Sequence, residues 1–263
     1  MPMSIEARLL GPDEPPAVFE YGLQGASPFV LVVDHASARI PVALKNLGVP
    51  EEELKRHIAW DIGALEVAKR VSAALGAALI AQNYSRLVID CNRDPKVSSS
   101  IPLVSEHTEV PGNAHLNEAQ KALRVREIFE PYHSHIAALL DARARAGRRT
   151  ILVAQHSMTD LYKGSRREMH AAILYNRDRR FAGLMLEALR RDATLRIADN
   201  EPYFVSDETD YTIPKHGEGR GLPHVEIELR QDLVCSEAGQ IEWAARLSES
   251  LQTAAAGYSR SYP

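Results

Sequence analysis

Cysteine is scarce in this sequence. Cys91 and Cys235 are the only two among 263 residues, too few for a disulfide framework or a cysteine-based structural zinc site, and we therefore expect a reducing compartment. No apolar run approaches the roughly 20 residues that a membrane-spanning helix needs. Residues 1–8 also lack the apolar core of a signal peptide. These absences predict a cytoplasmic protein.

The chain carries no large excess of charge of either sign. It has 31 basic and 35 acidic residues and a formal net charge of −4. This balance excludes a polybasic membrane surface and a general nucleic-acid footprint, so we expect a small-molecule ligand and neither a membrane nor a nucleic-acid partner. The oligomeric state stays open. With 45% hydrophobic residues, the chain can bury a substantial core without a metal or a disulfide.

Apolar runs alternate with helical patterns along the chain, which predicts one three-layer α/β/α domain over residues 1–263. Strands are predicted at residues 29–33, 86–90, 151–154, 171–175 and 224–229, and helices from residue 51, from about residue 61 to 75, and at 117–145, 178–190 and 241–251. The segment at residues 96–112 is rich in Ser, Pro and Gly and is predicted to be a long loop. Whether this loop acts as a lid stays open.

Two histidines follow predicted central strands, where open α/β sheets build their sites. His35 comes shortly after the first of these strands, and His156 comes directly after the strand at residues 151–154. Histidine and carboxylate ligands suit zinc, so we expect a metal site with Asp61 as the third ligand and Asp34 as the alternative. The competing interpretation makes the histidines hydrogen-bonded loop residues and Asp61 a helix N-cap.

The strand at residues 224–229 carries an unusual charged face. Its alternation places Glu226, Glu228 and Arg230 on one side and apolar side chains on the other. Such a face is costly to bury unless it is paired or used. The sequence leaves two interpretations open, a catalytic carboxylate or a solvated face of an edge strand.

Three further side chains are candidates for substrate binding. Arg93 can bind a carboxylate in a bidentate manner. The alternative is an ion pair with Asp90 or Asp94, which is the more common use of such an arginine. His216 and Arg220 lie in a segment with three glycines, which matches neither a P-loop nor a dinucleotide fingerprint.

Five short motifs occur in a fixed order. They are His35, Trp-Asp-Ile-Gly at residues 60–63, Asp-Cys-Asn-Arg-Asp-Pro at 90–95, His-Ser-Met at 156–158 and Glu-Leu-Arg-Gln-Asp at 228–232. In this combination the sequence resembles the N-formylglutamate amidohydrolase family over about residues 29–234. The resemblance implies a phosphorylase/hydrolase-like α/β/α fold with a mixed central sheet, related to zinc carboxypeptidases and zinc-dependent cell-wall amidases.

The resemblance also implies a zinc-dependent or other divalent-metal hydrolase. The expected substrate is a small carboxylated N-acyl amino acid whose C–N amide bond is cleaved, with N-formyl-L-glutamate giving formate and glutamate as the reference. Carried onto this chain, His35, Asp61 and His156 resemble the metal ligands. Glu228 resembles the general acid/base, and Glu226 competes for that role. The alternative is a non-catalytic protein that binds a carboxylated metabolite in the family's pocket.

As a hypothesis, a bound metal would lower the pKa of a water and polarise the acyl carbonyl, while Glu228 would take the proton of the water and return it to the departing amine. Arg93 or His216 would help to hold the oxyanion, and Arg93 or Arg220 the substrate's carboxylate. The motif Asp-His-Ala-Ser-Ala-Arg at residues 34–39 departs from the Pro-His-Ser-Gly of better-known members, and residues 211–223 also indicate a distinct branch. The acyl group and the amino acid of the substrate therefore stay open.

Overall fold

A seven-stranded sheet forms the middle layer of the computed structural model, which describes residues 8–262. Residues 1–7, which contribute to the prediction about a signal peptide, lie outside the described residues. In chain order the strands are β1 (Val18–Tyr21), β2 (Phe29–Val33), β3 (Ala78–Gln82), β4 (Val104–Ser105), β5 (Thr108–Glu109), β6 (Ile151–Met158), β7 (Leu161–Tyr162), β8 (Ser165–Arg166), β9 (Ala171–Leu174), β10 (Ile197–Asp199) and β11 (His224–Arg230).

The order of the strands in the sheet is β1-β3-β2-β6-β11-β9-β10. The four central strands β3, β2, β6 and β11 run parallel to one another. At the two sides, β1 pairs antiparallel with β3, and β9 pairs antiparallel with β11. The sheet is therefore mixed, as the resemblance implies, and the carboxyl ends of β2, β6 and β11 lie side by side.

Helices cover both faces of the sheet. They are α1 (Glu51–Leu54), α2 (Ala64–Leu75), α3 (Glu118–Arg124), α4 (Glu130–Arg145), α5 (Arg180–Leu189) and α6 (Glu237–Ser261), with a π-helical turn at Val125–Phe129 joining α3 to α4. A hydrophobic core lies on each face of the sheet. The core on one face contains residues of α2, α5 and α6 together with Phe29, Leu31 and Val33 of β2, and the core on the other face contains residues of α4 together with Val30 and Val32. The three-layer α/β/α prediction is confirmed. No helix within residues 8–262 is both long enough and apolar enough to cross a membrane.

The continuous apolar runs of β2 and β6 form strands because both faces of the central sheet are covered. The helix predicted from residue 117 begins with a capping box, in which the side chains of Asn117 and Gln120 each bind the other residue's backbone N–H. The helix predicted from about residue 61 begins at Ala64 instead. Gly63 precedes it in a left-handed conformation, and no side chain caps it, so the N-cap interpretation of Asp61 is wrong.

The predicted strand at residues 86–90 is wrong. This segment is a buried turn, and side chains satisfy its backbone carbonyls in place of a neighbouring strand. The Arg124 guanidinium donates to the Val88 carbonyl at 2.8 Å, and the Asn113 amide donates to the Leu87 carbonyl at 2.8 Å. An apolar run can thus be fully buried without pairing in a sheet when long-range donors reach its carbonyls.

Two other differences concern the sheet and the long loop. β3, which pairs with both β1 and β2, has no predicted counterpart, because its Ala-rich sequence continues the helical pattern before it. The segment at residues 96–112 contains the short β4–β5 hairpin in place of a continuous loop. The prediction that residues 1–263 form one domain stays a prediction.

Candidate active site

The candidate site lies at the carboxyl ends of three neighbouring parallel strands. β2 ends just before Asp34 and His35, whereas His156 lies within β6, which continues to Met158, so the predicted end of that strand was too early. The parallel register places Glu228 of β11 beside His156 of β6. Asp61 approaches from the turn before α2, where its backbone N–H donates to the His35 carbonyl at 2.9 Å.

His35, Asp61 and His156 converge at one point. The Nδ1 atom of His35 lies 3.3 Å from Asp61 Oδ2, and the Nδ1 atom of His156 lies 2.9 Å from the same oxygen. Each of the three residues is buried, and their ligand atoms all lie within 4.8 Å of one another. Two imidazole nitrogens and one carboxylate oxygen at this spacing are suited to hold a metal ion.

The opposite nitrogen of each histidine faces a second carboxylate. His35 Nε2 lies 2.7 Å from Asp90 Oδ1, and His156 Nε2 lies 3.2 Å from Asp34 Oδ2. Asp34 also accepts a hydrogen bond from the Thr212 hydroxyl at 2.7 Å. A carboxylate behind a ligating histidine fixes its tautomer and raises its basicity. Asp34 therefore faces the Nε2 side of His156, away from the point where the Nδ1 atoms converge. It does not occupy the position of the third metal ligand, for which it was the alternative to Asp61.

Arg86 completes the arrangement of charges. Its Nη2 donates to Asp90 Oδ2 at 2.8 Å, and its Nη1 lies 3.5 Å from Asp61 Oδ1. Burial alone would raise the pKa of Asp61, but His35 and His156 outweigh it and hold this pKa well below its usual range. Burial and Arg86 would lower the pKa of His35, yet Asp90 and Asp61 raise it.

The buried charges around the histidines fit a divalent cation. The carboxyl groups of Asp34, Asp61 and Asp90 all have lowered pKa values despite their burial, because the histidines and Arg86 oppose its effect. Three carboxylates against the single guanidinium of Arg86 leave an excess of negative charge when the histidines are neutral. Buried charge of this kind is costly unless it is paired or bound to a metal.

Glu228 and Glu226 are both buried beside this cluster. β11 lies between β6 and β9, so the interpretation of its charged face as a solvated edge is wrong. Glu228 Oε1 accepts a hydrogen bond of 2.6 Å from the Tyr203 hydroxyl. Burial raises the pKa of both glutamates. Their Oε2 atoms are buried and have no hydrogen-bond partner within residues 8–262.

A cavity of about 830 Å³ opens above the cluster. His35, Asp61, His156, Glu226 and Glu228 all line it. Arg93 lines it too and donates through Nη1 to the Thr209 carbonyl. Asp90, the expected ion-pair partner of Arg93, is instead bound by Arg86.

His216 and Arg220 do not line this cavity, so their predicted contact with substrate is not supported by their positions. Arg220 pairs with Asp141 on the surface. His216 is buried, and its ring lies nearly parallel to that of His133, with ring centroids 5.2 Å apart. His133 Nε2 must donate to the Cys91 carbonyl at 2.8 Å, so its Nδ1 accepts from His216 Nε2 at 3.0 Å.

Several residues around the cavity were not predicted from the sequence to belong to the site. Asp90 lies within a quoted motif, but nothing in that motif marks it as the partner of His35. Tyr203 and Arg86 carry no local signal, because only the fold brings them to Glu228 and Asp61. Arg167, which also lines the cavity, follows a two-residue strand and lies in no motif.

The chain is similar in sequence and in fold to known proteins. A family model described as N-formylglutamate amidohydrolase matches residues 27–235. A gene product of Agrobacterium tumefaciens has a solved structure that is 36% identical, with a TM-score of 0.93 over 96% of this chain and 100% of that one. The N-formylglutamate amidohydrolase of Ralstonia eutropha is 20% identical, with a TM-score of 0.62 over 88% and 94% of the two chains, and shows the shared fold. No curated protein matches the chain.

Proposed function

Because this chain belongs to the N-formylglutamate amidohydrolase family, a family of hydrolases, we propose that it is a metal-dependent enzyme that cleaves the C–N bond of an N-acyl amino acid. N-formyl-L-glutamate, which would give formate and glutamate, is the reference substrate. The observation that carries the proposal is the convergence of His35, Asp61 and His156 on one point that faces a cavity beside Glu228.

Zinc is the metal that we propose, because catalytic zinc sites typically use three protein ligands of these types and leave one position open. His35 and His156 would bind through Nδ1, since Asp90 and Asp34 face their Nε2 atoms. Asp61 would bind through Oδ2, which lies between the two Nδ1 atoms. A metal held there would supply Lewis-acid chemistry, lowering the pKa of a water and polarising the acyl carbonyl.

Glu228 is the proposed general acid/base. Its Oε1 is engaged by Tyr203, and its Oε2 is the free oxygen that can accept the proton of the attacking water. As the C–N bond breaks, Glu228 returns this proton to the departing nitrogen, so that the acid and the free amine are released. Its raised pKa suits both transfers near neutral pH. Glu226 has the same burial and a free Oε2, and it remains the competing assignment.

Arg93 is the proposed partner of a substrate carboxylate, because its guanidinium lines the cavity and no carboxylate within residues 8–262 forms an ion pair with it. It is also the sequence-based candidate that could help to hold the oxyanion, since His216 packs against His133 outside the cavity. A cytoplasmic location is part of this proposal and is supported by the two cysteines, both of which are free thiols.

Separation of the metal ligands from Glu228 would favour the non-catalytic alternative. Their meeting in one cavity favours the hydrolase. Bound metal would be quantified in the purified protein, and formate release from N-formyl-L-glutamate would be followed before chelation, after it, and after zinc is restored. We expect release to stop on chelation and to return with zinc. If the protein neither binds metal nor releases formate, even with zinc added, this result contradicts the proposal and favours a binding protein.

A bound metal without formate release would leave the hydrolase class intact but reject N-formyl-L-glutamate as the substrate. The same chelation and restoration cycle would then be run with N-acetyl-L-glutamate and with N-formyl derivatives of other amino acids. Release that depends on zinc for one of these would identify the acyl group or the amino acid that the cavity accepts.

A further inference from the structure

Four arginines line the cavity above the metal cluster, and they differ in what their guanidinium groups contact. Arg86 is paired with Asp90, and Arg177 is paired with Asp207 and Glu218. Arg93 and Arg167 form no ion pair within residues 8–262. A guanidinium that lines a cavity without a protein carboxylate is available for an anionic group of a ligand.

Arg167 is held in place without its charge being neutralised. Its guanidinium lies 5.1 Å from the ring centroid of Tyr162 and 5.4 Å from that of Tyr203. Its Nη1 donates to the Thr159 carbonyl at 3.3 Å, and its backbone N–H donates to the Asp160 carbonyl at 2.7 Å. The two aromatic rings hold the guanidinium by cation–π contacts, and the Thr159 carbonyl is the one acceptor that its N–H groups bind within residues 8–262.

Tyr203 connects this arginine to the reacting end of the site. One face of its ring contacts Arg167, while its hydroxyl donates to Glu228 at 2.6 Å. The positive charge of Arg167 therefore lies on the side of the cavity where Glu228 would transfer the proton. Arg93 lies elsewhere on the wall, near Asp90 and the Thr209 carbonyl.

From these contacts we infer that Arg167 binds the α-carboxylate of the N-acyl amino acid, with Tyr162 and Tyr203 holding its guanidinium for that contact. The inference rests on the proposed function. The α-carboxylate is attached to the carbon that bears the scissile nitrogen, so of the two carboxylates of N-formylglutamate it is the one fewer bonds away from the atom to which Glu228 would return the proton. Arg93, which lies near Asp90 and the Thr209 carbonyl, is left for a side-chain carboxylate such as that of glutamate.

The test compares Arg167→Met with wild type on two substrates, N-formyl-L-glutamate and its α-carboxamide. Met keeps much of the length of the side chain but removes the charge. We expect KM for N-formyl-L-glutamate to rise about 10- to 100-fold, the effect of losing a charge-assisted pair, with kcat little changed. KM for the carboxamide should stay close to its wild-type value. Arg167→Lys, which keeps the charge but not the planar fork, should give an intermediate rise.

Arg166→Met is the matched control, because Arg166 is adjacent, exposed and paired with Asp160, and its KM should equal that of wild type. The inhibition constant of the product L-glutamate should rise in Arg167→Met in step with KM. Metal content and circular dichroism of each variant establish that the site and the fold are intact.

Three results would overturn the inference. An unchanged KM for N-formyl-L-glutamate would remove Arg167 from substrate binding. An equal rise for both substrates would mean that it does not contact the α-carboxylate. A fall in kcat with a shifted pH profile and an unchanged KM would mean that it acts only on Glu228 through Tyr203. Wild-type holoenzyme that hydrolyses neither these two substrates nor any of the other N-acyl amino acids named under the proposed function would instead reject the proposed function, and this inference with it.

Discussion

Asp34 and Asp90 occupy the positions that decide how the two histidines are presented. Each carboxylate lies behind one imidazole, at 3.2 Å from His156 Nε2 and 2.7 Å from His35 Nε2. In a neutral imidazole, a carboxylate on this side favours the proton on Nε2, so that Nδ1 is free to bind a metal at the point where the ligand atoms meet. Replacing Asp34 or Asp90 by asparagine removes the negative charge but keeps the shape of the side chain. Either substitution should therefore weaken metal binding and leave the metal ligands themselves in place.

We predict that Asp90→Asn lowers zinc affinity about 10- to 100-fold, the usual effect of losing such a partner. Competition with a chromophoric chelator would measure it. Asp160→Asn is the control, because this residue lies near the surface and pairs with Arg166. An unchanged affinity in Asp90→Asn would show that the carboxylate does not orient His35.

Glu228 and Glu226 can be separated by paired amide substitutions. Glu228→Gln should reduce kcat about 10²- to 10⁴-fold, the range expected for loss of a general base, while metal content stays at its wild-type level. Glu226→Gln keeps Glu228 and its bond to Tyr203, so a smaller loss is expected. The assignment would be reversed by near-normal turnover in Glu228→Gln together with a large loss in Glu226→Gln.

At the scale of the secondary-structure elements, the turn between Asp61 and α2 positions a proposed metal ligand through its backbone. The Ser157 hydroxyl donates to the Ile62 carbonyl at 2.7 Å. Gly63 then adopts a φ of +79°, and a Cβ built on it would lie 2.2 Å from the Val234 carbonyl oxygen. The approach of this turn to the segment after β11 therefore requires glycine.

We predict that Gly63→Ala costs about 3 kcal/mol in the free energy of unfolding, because a left-handed alanine and a backbone clash act together. Gly76→Ala is matched to it, since Gly76 also has a positive φ but a Cβ added there would meet no atom within 4 Å. It should cost about 1 kcal/mol. Urea unfolding in the presence of a chelator would compare the two without a contribution from metal, and equal costs would contradict the close-packing argument.

The elements show which parts of the molecule a sequence can reveal. β2, β6 and β11 were predicted because their sequences are continuously apolar or alternate strictly. His156 and Glu228 lie on β6 and β11, and His35 follows the end of β2. The five motifs identified the family correctly, as the match over residues 27–235 confirms. Buried turns satisfied by distant donors, such as the Arg124 bond to Val88, follow no local pattern. The contacts of Tyr203 and Arg167 depend on the fold for the same reason.

At the scale of the whole molecule, the buried pair of His133 and His216 links α4 to the segment after β10. Burial, reinforced for His216 by its histidine neighbour, lowers the pKa of His133 to about 4 and that of His216 to about 3. An unfolded chain takes up these protons near pH 6.5, whereas the folded protein does so only at much lower pH. Because the unfolded state then binds more protons, stability should decrease as the pH falls between about 6.5 and 4.

We predict that His216→Gln flattens this dependence by about 1 kcal/mol per pH unit in that window. The measurement is the free energy of unfolding by urea at a series of pH values, again with chelator present. His135→Gln provides the control, because His135 is exposed on the same helix as His133. A slope that is equally steep in wild type and in His216→Gln would show that the pair is not buried in its neutral form.

The two ends of the cavity are built from different kinds of structure. The metal ligands and Glu228 lie on or directly beside buried strands, where a substitution disturbs the core. Arg167 follows the exposed β7–β8 hairpin, and Tyr203 belongs to the segment between β10 and β11. We therefore expect substitutions at the recognition end to disturb the core less than those at the reacting end. If the proposed function holds, we therefore expect relatives of this chain to differ in the acylated amino acid that they bind while sharing the same metal ligands and Glu228.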